Sequence, residues 1–298
     1  MENCCFPYSA HPGYDRCMDT TIRKEIEQAA LAIQQAESLL ITAGAGIGVD
    51  SGLPDFRGDR GFWRAYPPLE KLGISFVGMA NPLWFSRDPE LAWGFYGHRL
   101  NLYRRTSPHA GFTILSRWAE STKHGCFVFT SNVDGQFQTA GFDNDRILEC
   151  HGSLHHLQCT TPCAHEVWGT EDFDITVDEE VFRAVSSLPE CPHCGSLARP
   201  NVLMFNDWHW IPHRTSSQEH RFETWLGEAS SSQVVIVELG AGSAVPTVRL
   251  TSERVASRFH GTLIRINPRE PQVPHGQIGI PLNALEALQA IDEEMNAD

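Results

Sequence analysis

The chain has 298 residues, of which 41% are hydrophobic and 20% charged, as expected for a globular protein with one large domain or a large domain plus a small one. Its formal net charge of −14 argues against a general nucleic-acid binder, because Lys and Arg are too few to neutralise phosphates. No apolar run approaches the ~20 residues that cross a bilayer, and no signal peptide is evident, so we expect a cytoplasmic protein without a membrane partner.

The first predicted elements are an arm, a helix and a buried strand. Residues 1–20 contain Pro and Gly without a periodic pattern, so we expect an irregular N-terminal arm. Apolar residues then recur at helical spacing from Ile22 to Ala36 and predict a helix that begins after Thr21. The apolar run Leu39–Thr42 follows and predicts a strand buried on both faces.

A glycine-rich loop leaves this first strand. Gly44, Gly46 and Gly48 let the backbone turn tightly and approach a ligand, and free N–H groups in such a turn suit a pyrophosphate. The spacing departs from G-x-G-x-x-G, because Val49 stands at the position of the third glycine. The segment 54–57, Pro-Asp-Phe-Arg, then adds an acid, an aromatic face and a cation beyond the phosphate cradle. The loop therefore predicts a nucleotide site.

The remaining elements predict an α/β fold with a parallel sheet covered by helices. Residues 61–110 combine many aromatic residues with prolines, which is typical of short helices and loops forming a lid or substrate wall. Further buried strands are predicted at Cys126–Thr130, Val234–Val237 and Thr262–Ile266, and a closing helix is predicted at Leu285–Met295. In such sheets ligands bind beyond the carboxyl ends of the strands. Three loops are predicted to lie at these ends, at residues 44–58, 131–141 and 239–246.

Cysteine spacing predicts a structural zinc site. Nine cysteines cannot form a fully paired disulfide framework, and four of them are grouped as two close pairs. These are Cys159 with Cys163 and Cys191 with Cys194. Four thiolates complete the tetrahedral coordination of Zn²⁺ and leave no open position for catalysis. The alternative is two chance pairs of thiols.

Six sequence blocks follow one another in a fixed order: Gly44-Ala-Gly-Ile with Ser51-Gly-Leu-Pro-Asp-Phe-Arg57, Asn132-Val-Asp-Gly135 with Ala140-Gly141, His151-Gly152, the four cysteines, Arg199-Pro-x-Val202 and Phe205. In this order they resemble the sirtuin family of NAD-dependent protein deacylases, in its bacterial type. The resemblance covers roughly residues 40 to 270 and implies a Rossmann-like sheet with a small zinc-binding module inserted at about 153–200 of a catalytic domain 21–298. It departs from the family at Gly48, Ser131, Gln136-Phe137, Asn206-Asp207 and Gly240-Ala-Gly-Ser.

The resemblance implies a set of residues that bind NAD as a consumed co-substrate. In the family the first glycine loop holds the pyrophosphate, Phe56 and Arg57 lie near the nicotinamide ribose, and the later loops hold the adenosine. The implied contacts are Gly44, Ala45, Gly46, Gly48, Asp55, Phe56, Arg57, Ser131, Asn132, Asp134, Gly240, Gly242, Ser243 and Asn267.

The same resemblance assigns the chemistry. His151 corresponds to the general base, a role that suits a side chain titrating near neutrality, while Asn132 and Asp134 line the nicotinamide pocket. The acyl-lysine oxygen attacks C1′ of the nicotinamide ribose as nicotinamide leaves, and His151 activates a ribose hydroxyl. The products are free lysine, nicotinamide and O-acyl-ADP-ribose. An isolated histidine in a core would otherwise be structural, as we expect for His155 and His156.

Four residues bear on the acyl group. Val202 and Phe205 match the apolar acyl-lysine tunnel of the family, although both also fit a plain core position. Tyr96 and Arg99 share a helix face and resemble the pair in the subgroup that removes succinyl, malonyl or glutaryl groups, because a guanidinium and a phenol both bind a carboxylate. An exposed Arg beside a packed Tyr is the alternative.

Two competing functions stay open at this point. The first is a protein ADP-ribosyltransferase or NAD glycohydrolase on the same fold, which needs the NAD contacts without the acyl tunnel. The second is a non-catalytic module that senses NAD. The preferred partner is an acylated lysine of a protein substrate, and the oligomeric state does not follow from the sequence.

Overall fold

The computed structural model describes residues 20–55 and 58–297 of the chain. The predicted arm lies outside this range, except for Thr20. The helices are α1 (Thr20–Gln34), α2 (Gly58–Ala65), α3 (Pro67–Lys71), α4 (Phe76–Met79), α5 (Trp84–Arg87), α6 (Pro89–Arg105), α7 (Ala110–Ser121), α8 (Gln136–Thr139), α9 (His213–Glu228), α10 (Thr247–Phe259) and α11 (Ala284–Met295), with 3-10 turns at Ala45–Ser51, Asn144–Arg146 and Ala229–Ser231. The strands are β1 (Ser38–Ala43), β2 (Cys126–Thr130), β3 (Ile147–Glu149), β4 (Gly152–Cys159), β5 (Val167–Gly169), β6 (Val177–Asp178), β7 (Arg183–Ala184), β8 (Ala198–Val202), β9 (Val234–Leu239), β10 (Thr262–Ile266) and β11 (Ile278–Ile280).

The largest sheet confirms the predicted parallel α/β class. Its described strands run in the order β11-β10-β9-β1-β2-β3, and every neighbouring pair is parallel. Ile41 of the central strand faces Val128 on one side and Val237 on the other. Each residue of β1 and β9 is buried, as continuous apolar runs require when helices cover both faces of a sheet.

Helices cover the two faces of this sheet in separate hydrophobic clusters. Leu39, Ile41 and Ala43 pack with α1, α7 and α11 on one face. Leu40, which points the other way along the strand, packs with α9 and α10 on the opposite face. The alternation along a single strand therefore places the core on both sides of β1.

A second unit joins residues that are far apart in the sequence. β4 lies between β5 and β8 in an antiparallel sheet, and β6 pairs with β7 in a short antiparallel ribbon. A third hydrophobic cluster packs these strands against α2 through α6, with Trp93 and Phe182 among its buried members. Residues 61–110 were predicted as short helices and loops, and α2 to α5 are short. The same segment also contains the 17-residue helix α6, whose length was not predicted. Its buried residues Tyr96, Leu100 and Tyr103 recur at helical spacing, and this pattern stabilises a long helix against the core.

None of the helices in the described part of the chain combines the length and apolar composition that a membrane span requires.

Candidate functional site

The first part of the site is a contact between two glycine loops at the carboxyl edge of the large sheet. The Gly44 N–H donates to the Leu239 carbonyl at 3.0 Å, and the Gly46 N–H donates to the Gly240 carbonyl at 3.0 Å. Gly240 has a φ of 60°, and a Cβ placed on it would lie 2.4 Å from the backbone of Gly46 and Ile47. These glycines are therefore needed for the approach of one loop to the other, in addition to any approach to a ligand.

We expect the substitution Gly240→Ala to weaken NAD binding by at least about tenfold and to lower the melting temperature by several degrees. The left-handed backbone costs a residue with a Cβ roughly 1–2 kcal/mol, and the added methyl group also forces the two loops apart. Gly276→Ala is the matched control, because Gly276 has a φ of 82° but a Cβ there meets nothing within 4 Å. Calorimetric titration with NAD and thermal melts measure both effects. Equal losses in the two variants would contradict the steric argument.

The chain after Gly44 forms a short 3-10 helix, Ala45–Ser51, and its position is set by a histidine of the α7 N-terminus. The His109 ring nitrogen Nε2 lies 3.0 Å from the Ile47 carbonyl, and the His109 N–H donates to Ser51 Oγ at 3.0 Å. Gly48 is buried beside Leu53, and Asp55 is half-buried. The expected NAD contacts Phe56 and Arg57 lie outside the described residues.

The loop after β2 brings three more of the predicted residues to the same edge. The Ser131 N–H donates to the Ala43 carbonyl at 3.1 Å, and Asn132 Nδ2 donates to the Gly44 carbonyl at 3.2 Å. Asp134 is 8% exposed and accepts a bond from the Gln136 N–H at 2.9 Å. Burial raises the pKa of Asp134 to about 6, an effect that nearby Arg99 opposes. This loop thus places an amide and a perturbed carboxyl beside the glycine loop, a combination typical of functional sites.

His151 lies between β3 and β4 and contacts the same loop. Burial lowers the pKa of His151 below its ordinary value, and the nearby Ser131 backbone only partly opposes this effect. The imidazole is therefore neutral near pH 7, the state that a general base requires. The backbone carbonyl of His151 accepts a bond from the Leu203 N–H at 2.9 Å, which ties the histidine to the end of β8.

A buried polar network behind His151 did not follow from the sequence. Glu149, two residues earlier, pairs with Arg214 of α9 and receives a bond from Gln218 Nε2 at 3.4 Å. The Glu149 N–H also donates to Gln218 Oε1 at 3.1 Å. On the other side, His155 Nε2 lies 2.9 Å from the Asp134 carbonyl. His155 thus has a structural contact, while Arg214 lies too far along the chain for any spacing rule to connect it with Glu149.

The loops after β9 and β10 hold the residues predicted to contact adenosine. Asn267 Nδ2 donates to the Ala241 carbonyl at 2.8 Å, so the two loops are joined next to Gly242. The Ser243 N–H and hydroxyl donate to Glu270 at 3.1 Å and 2.5 Å. Glu270 was not among the predicted residues, although an acid three positions after Asn267 was visible in the sequence.

The end of β8 brings the two predicted tunnel residues close to His151. Val202 is buried and pairs with Gly152 across β4 and β8. Phe205 is 37% exposed, its N–H donates to the Ala80 carbonyl at 2.9 Å, and its ring lies 6.3 Å from the Phe76 ring centroid. The two residues thus lie on either side of Leu203, whose N–H bonds the His151 carbonyl.

Asn206-Asp207, where the family has Gly-Glu, is explained by the local geometry. Asn206 has a φ of 58°, a conformation that Asn tolerates better than most residues other than Gly. Asp207 forms a two-pronged ion pair with Arg199, at 2.7 Å and 2.9 Å, and both side chains are almost fully buried. Asn206 can therefore adopt this turn conformation in place of the Gly of the family, and the ion pair of Asp207 holds the loop that follows Phe205.

Tyr96 and Arg99 lie on α6, as predicted, and both are buried, which contradicts the alternative of an exposed Arg beside a packed Tyr. Tyr96 is 1% exposed, and its hydroxyl has no hydrogen-bond partner among the described residues. Arg99 is 7% exposed and donates from Nε and Nη2 to the Tyr103 hydroxyl at 3.0 Å and 2.8 Å. Tyr103 was not predicted, although it lies four residues after Arg99 on the same helix face.

The four predicted metal ligands converge at one point. The Sγ atoms of Cys159 and Cys194 lie 3.7 Å apart, those of Cys163 and Cys191 lie 3.5 Å apart, and all four lie within 4.8 Å of one another. Tetrahedral Zn–S bonds of ~2.3 Å place sulfurs about 3.8 Å apart. The cluster fits a structural zinc ion, and Gly195, with a φ of 70°, closes the turn after Cys194.

Comparison with known proteins extends the similarity over nearly the whole chain. A model of the Sir2 family matches residues 44–236. An NAD-dependent protein deacylase of Aeropyrum pernix is 30% identical over 273 residues, 91% of this chain and 98% of the relative. An NAD-dependent protein deacylase of Thermococcus sibiricus is 33% identical over 269 residues, 89% of this chain and 94% of the relative. The crystal structure of a Sir2 homolog in complex with NAD has a TM-score of 0.66 at 26% identity, covering 90% of this chain and 93% of that one.

Proposed function

The chain belongs to the Sir2 family, and from this premise we propose that it is an NAD-dependent deacylase of protein lysines that yields free lysine, nicotinamide and O-acyl-ADP-ribose. One observation carries the proposal. Asn132 bonds the Gly44 carbonyl, and the N–H of Cys150, the residue before His151, donates at 2.9 Å to the carbonyl of Thr130 at the start of the same loop. The implied nicotinamide pocket, pyrophosphate loop and general base therefore form one connected site.

The residues of this chain have distinct tasks in the proposed reaction. NAD supplies the ribose carbon that the acyl oxygen attacks and nicotinamide as the leaving group. Asn132 and Asp134 offer amide and carboxyl groups to the nicotinamide carboxamide. His151, neutral near pH 7, accepts the proton of a ribose hydroxyl. The buried backbone of Gly44 and Gly240 allows the dinucleotide to lie close to the sheet edge.

The test is incubation of the purified protein with NAD and an acetyl-lysine peptide, followed by quantification of nicotinamide, free peptide and both ADP-ribose products. We expect the three products of deacylation in equal amounts. Consumption of NAD that yields free ADP-ribose or ADP-ribosylated protein, with the peptide unchanged, would favour the transferase or glycohydrolase alternative. NAD binding without turnover on a broad panel of acyl peptides would favour the NAD-sensing module.

We also propose that the site accepts acyl groups that end in a carboxylate, such as succinyl or malonyl. Arg99 is a buried cation that donates from Nε and Nη2 to the Tyr103 hydroxyl. The Tyr96 hydroxyl, buried and without a partner among the described residues, is a further donor. A guanidinium with a phenol beside it is suited to bind a carboxylate in an otherwise apolar site.

The substitution Arg99→Met is expected to lower kcat/KM for a succinyl-lysine peptide by at least about 30-fold more than for the matched acetyl-lysine peptide. A charge-assisted, two-pronged contact contributes ~2–3 kcal/mol when desolvated, whereas an acetyl group has no carboxylate to lose. Met keeps the volume and avoids leaving a buried cavity. Parallel steady-state kinetics on two peptides of one sequence provide the comparison, and equal losses on both would reject the acidic-acyl preference.

The remaining assignments belong to the same proposal. We assign Cys159, Cys163, Cys191 and Cys194 to one structural zinc within a module at about 153–200, in a catalytic domain at 21–298. The reducing cytoplasm suits these thiolates, and the acidic net charge suits protein substrates better than nucleic acid. Zinc analysis, limited proteolysis and cell fractionation test these three assignments separately.

A further inference from the structure

The buried histidine at the beginning of α7 makes a hydrogen bond with each of its ring nitrogens. The Nδ1 atom of His109 accepts a bond from the Gly111 N–H at 3.0 Å and so caps the first turn of the helix. Its Nε2 atom lies 3.0 Å from the Ile47 carbonyl. A backbone N–H only donates and a carbonyl only accepts, so a single tautomer satisfies both contacts. In that tautomer Nδ1 carries no proton, and Nε2 donates its proton to Ile47.

The packing around this ring leaves it little room to move. The ring centroids of His109 and the buried Phe112 lie 4.9 Å apart. A Cβ added to Gly111 would lie 2.6 Å from the imidazole, so glycine at this position makes space for the ring. Burial lowers the pKa of His109, although the Ile47 carbonyl and the carboxylate of Asp50 oppose this effect. The side chain is therefore a neutral donor held in one orientation.

The same residue joins α7 to the glycine loop at two points. Its ring bonds Ile47, and its backbone N–H donates to Ser51 Oγ at 3.0 Å. These two points lie in the middle and at the end of the 3-10 helix Ala45–Ser51. The loop is thus attached to the helix layer as well as to the neighbouring loop at Gly240.

Such an attachment has a consequence for ligand binding. Gly44, Gly46 and Gly48 give this segment more conformational freedom than other residues would. If that freedom is lost only when a ligand binds, the ordering lowers the affinity, whereas a segment that is already ordered avoids this cost. The bond to Ile47 lies between Gly46 and Gly48, where the segment is most flexible in its own right.

We propose that His109 is a positioning residue for NAD, because its Nε2–H holds the glycine loop, through the Ile47 carbonyl, in the conformation that receives the pyrophosphate. This inference rests on the proposed NAD-dependent function and on the assignment of this loop to the pyrophosphate. His109 acts through Ile47 and takes no part in the chemistry. Its effect is therefore confined to the binding of NAD, and the acyl peptide and the chemical step are unaffected.

Two substitutions separate the roles of the two ring nitrogens. The side-chain oxygen of Asn lies two bonds beyond Cβ, as Nδ1 does, and the side-chain nitrogen of Gln lies three bonds beyond Cβ, as Nε2 does. His109→Asn therefore keeps an acceptor for the Gly111 N–H and loses the bond to Ile47. His109→Gln keeps a donor for Ile47 and loses the cap.

We expect His109→Asn to raise both the Kd and the KM for NAD on the order of tenfold, with kcat and the KM for an acetyl-lysine peptide within about twofold of wild type at saturating NAD. Its melting temperature without NAD should stay close to the wild-type value, because Asn is a good N-cap. His109→Gln should instead lower the melting temperature by about 2–4 °C and keep the Kd for NAD within about threefold. A purely structural role would change stability and NAD affinity together in both variants.

Thr122→Val is the matched control. Thr122 is buried at the other end of α7, and its hydroxyl donates to the Ala119 carbonyl at 2.8 Å. The substitution keeps the shape of the side chain and removes a hydrogen bond of the same helix that does not involve the glycine loop. We expect the affinity for NAD to remain at the wild-type value.

The outcomes distinguish this inference from the proposed function. If calorimetric titration shows that the wild-type protein does not bind NAD, the proposed function fails and the role of His109 fails with it. If the wild-type protein binds NAD and removes the acyl group, the function stands. In that case, wild-type affinity in His109→Asn, or an equal loss of affinity in His109→Gln, would overturn the positioning role alone.

Discussion

Replacement of His151 by Ala is expected to reduce deacylation by at least about 100-fold while leaving NAD binding within a few-fold of the wild-type value. General base catalysis contributes ~10²–10⁴ to the rate of an enzyme. The bonds that join the Gly44 loop to the Gly240 loop do not involve His151, so the glycine loop is expected to keep its shape without the imidazole. Product analysis by chromatography measures the first effect, and calorimetric titration with NAD measures the second.

The control for this variant is His156→Ala. His156 is also partly buried, on strand β4 of the same region, and burial lowers its pKa to about 4. It is assigned no part in the reaction, so a comparable loss of activity there would point to a general effect of removing a buried imidazole. A His151→Ala protein that keeps more than about a tenth of the wild-type rate would remove His151 from the role of base.

Loss of the zinc ion is the second change with a large expected effect. Structural zinc sites in small modules bind with apparent free energies on the order of 10 kcal/mol, which is comparable to the whole stability of a typical domain. β4 and β8 carry the cysteine cluster at one end and Gly152 and Val202 at the other, next to His151. We therefore expect Cys191→Ser to lose the metal, to unfold the small antiparallel sheet and to abolish deacylation.

The wild-type protein should contain about one zinc per chain by elemental analysis, and Cys191→Ser close to none. Cys126→Ala provides the control, since Cys126 is a thiol of strand β2, outside the cluster. It should retain the metal and most of the activity. A zinc-free Cys191→Ser protein with a wild-type melting curve and wild-type activity would refute the structural role of the site.

Much of the fold followed from local patterns. The apolar runs at Leu39, Cys126, Val234 and Thr262 each became a buried parallel strand, because continuous β-branched and aliphatic residues fit only a sheet covered on both faces. The zinc cluster could also be predicted from the sequence, since a tetrahedral ion needs close pairs of thiolates and the chain leaves three residues between the cysteines of one pair and two between those of the other.

The structural role of the glycines in the Gly44 and Gly240 loops could be predicted only in part. Gly44 was expected to admit a ligand, whereas the structure also presses it against Ala241 and Gly240 of another loop. The two loops are almost 200 residues apart in the chain, so their contact depends on the neighbouring positions of β1 and β9 in the sheet. Strand order is a tertiary property and has no local signal.

The sequence by itself determined the class of fold, the family and the cluster of four cysteines, because these depend on spacing over a few residues or on motifs read in order. Tertiary structure alone decided that Arg99 is buried and donates to Tyr103, that Glu149 pairs with Arg214 behind His151, and that the Leu203 N–H bonds the His151 carbonyl. The physical reason is that burial and charge pairing arise between segments distant in the chain. The polarity of a residue can be read from the sequence, but the side chains that surround it cannot.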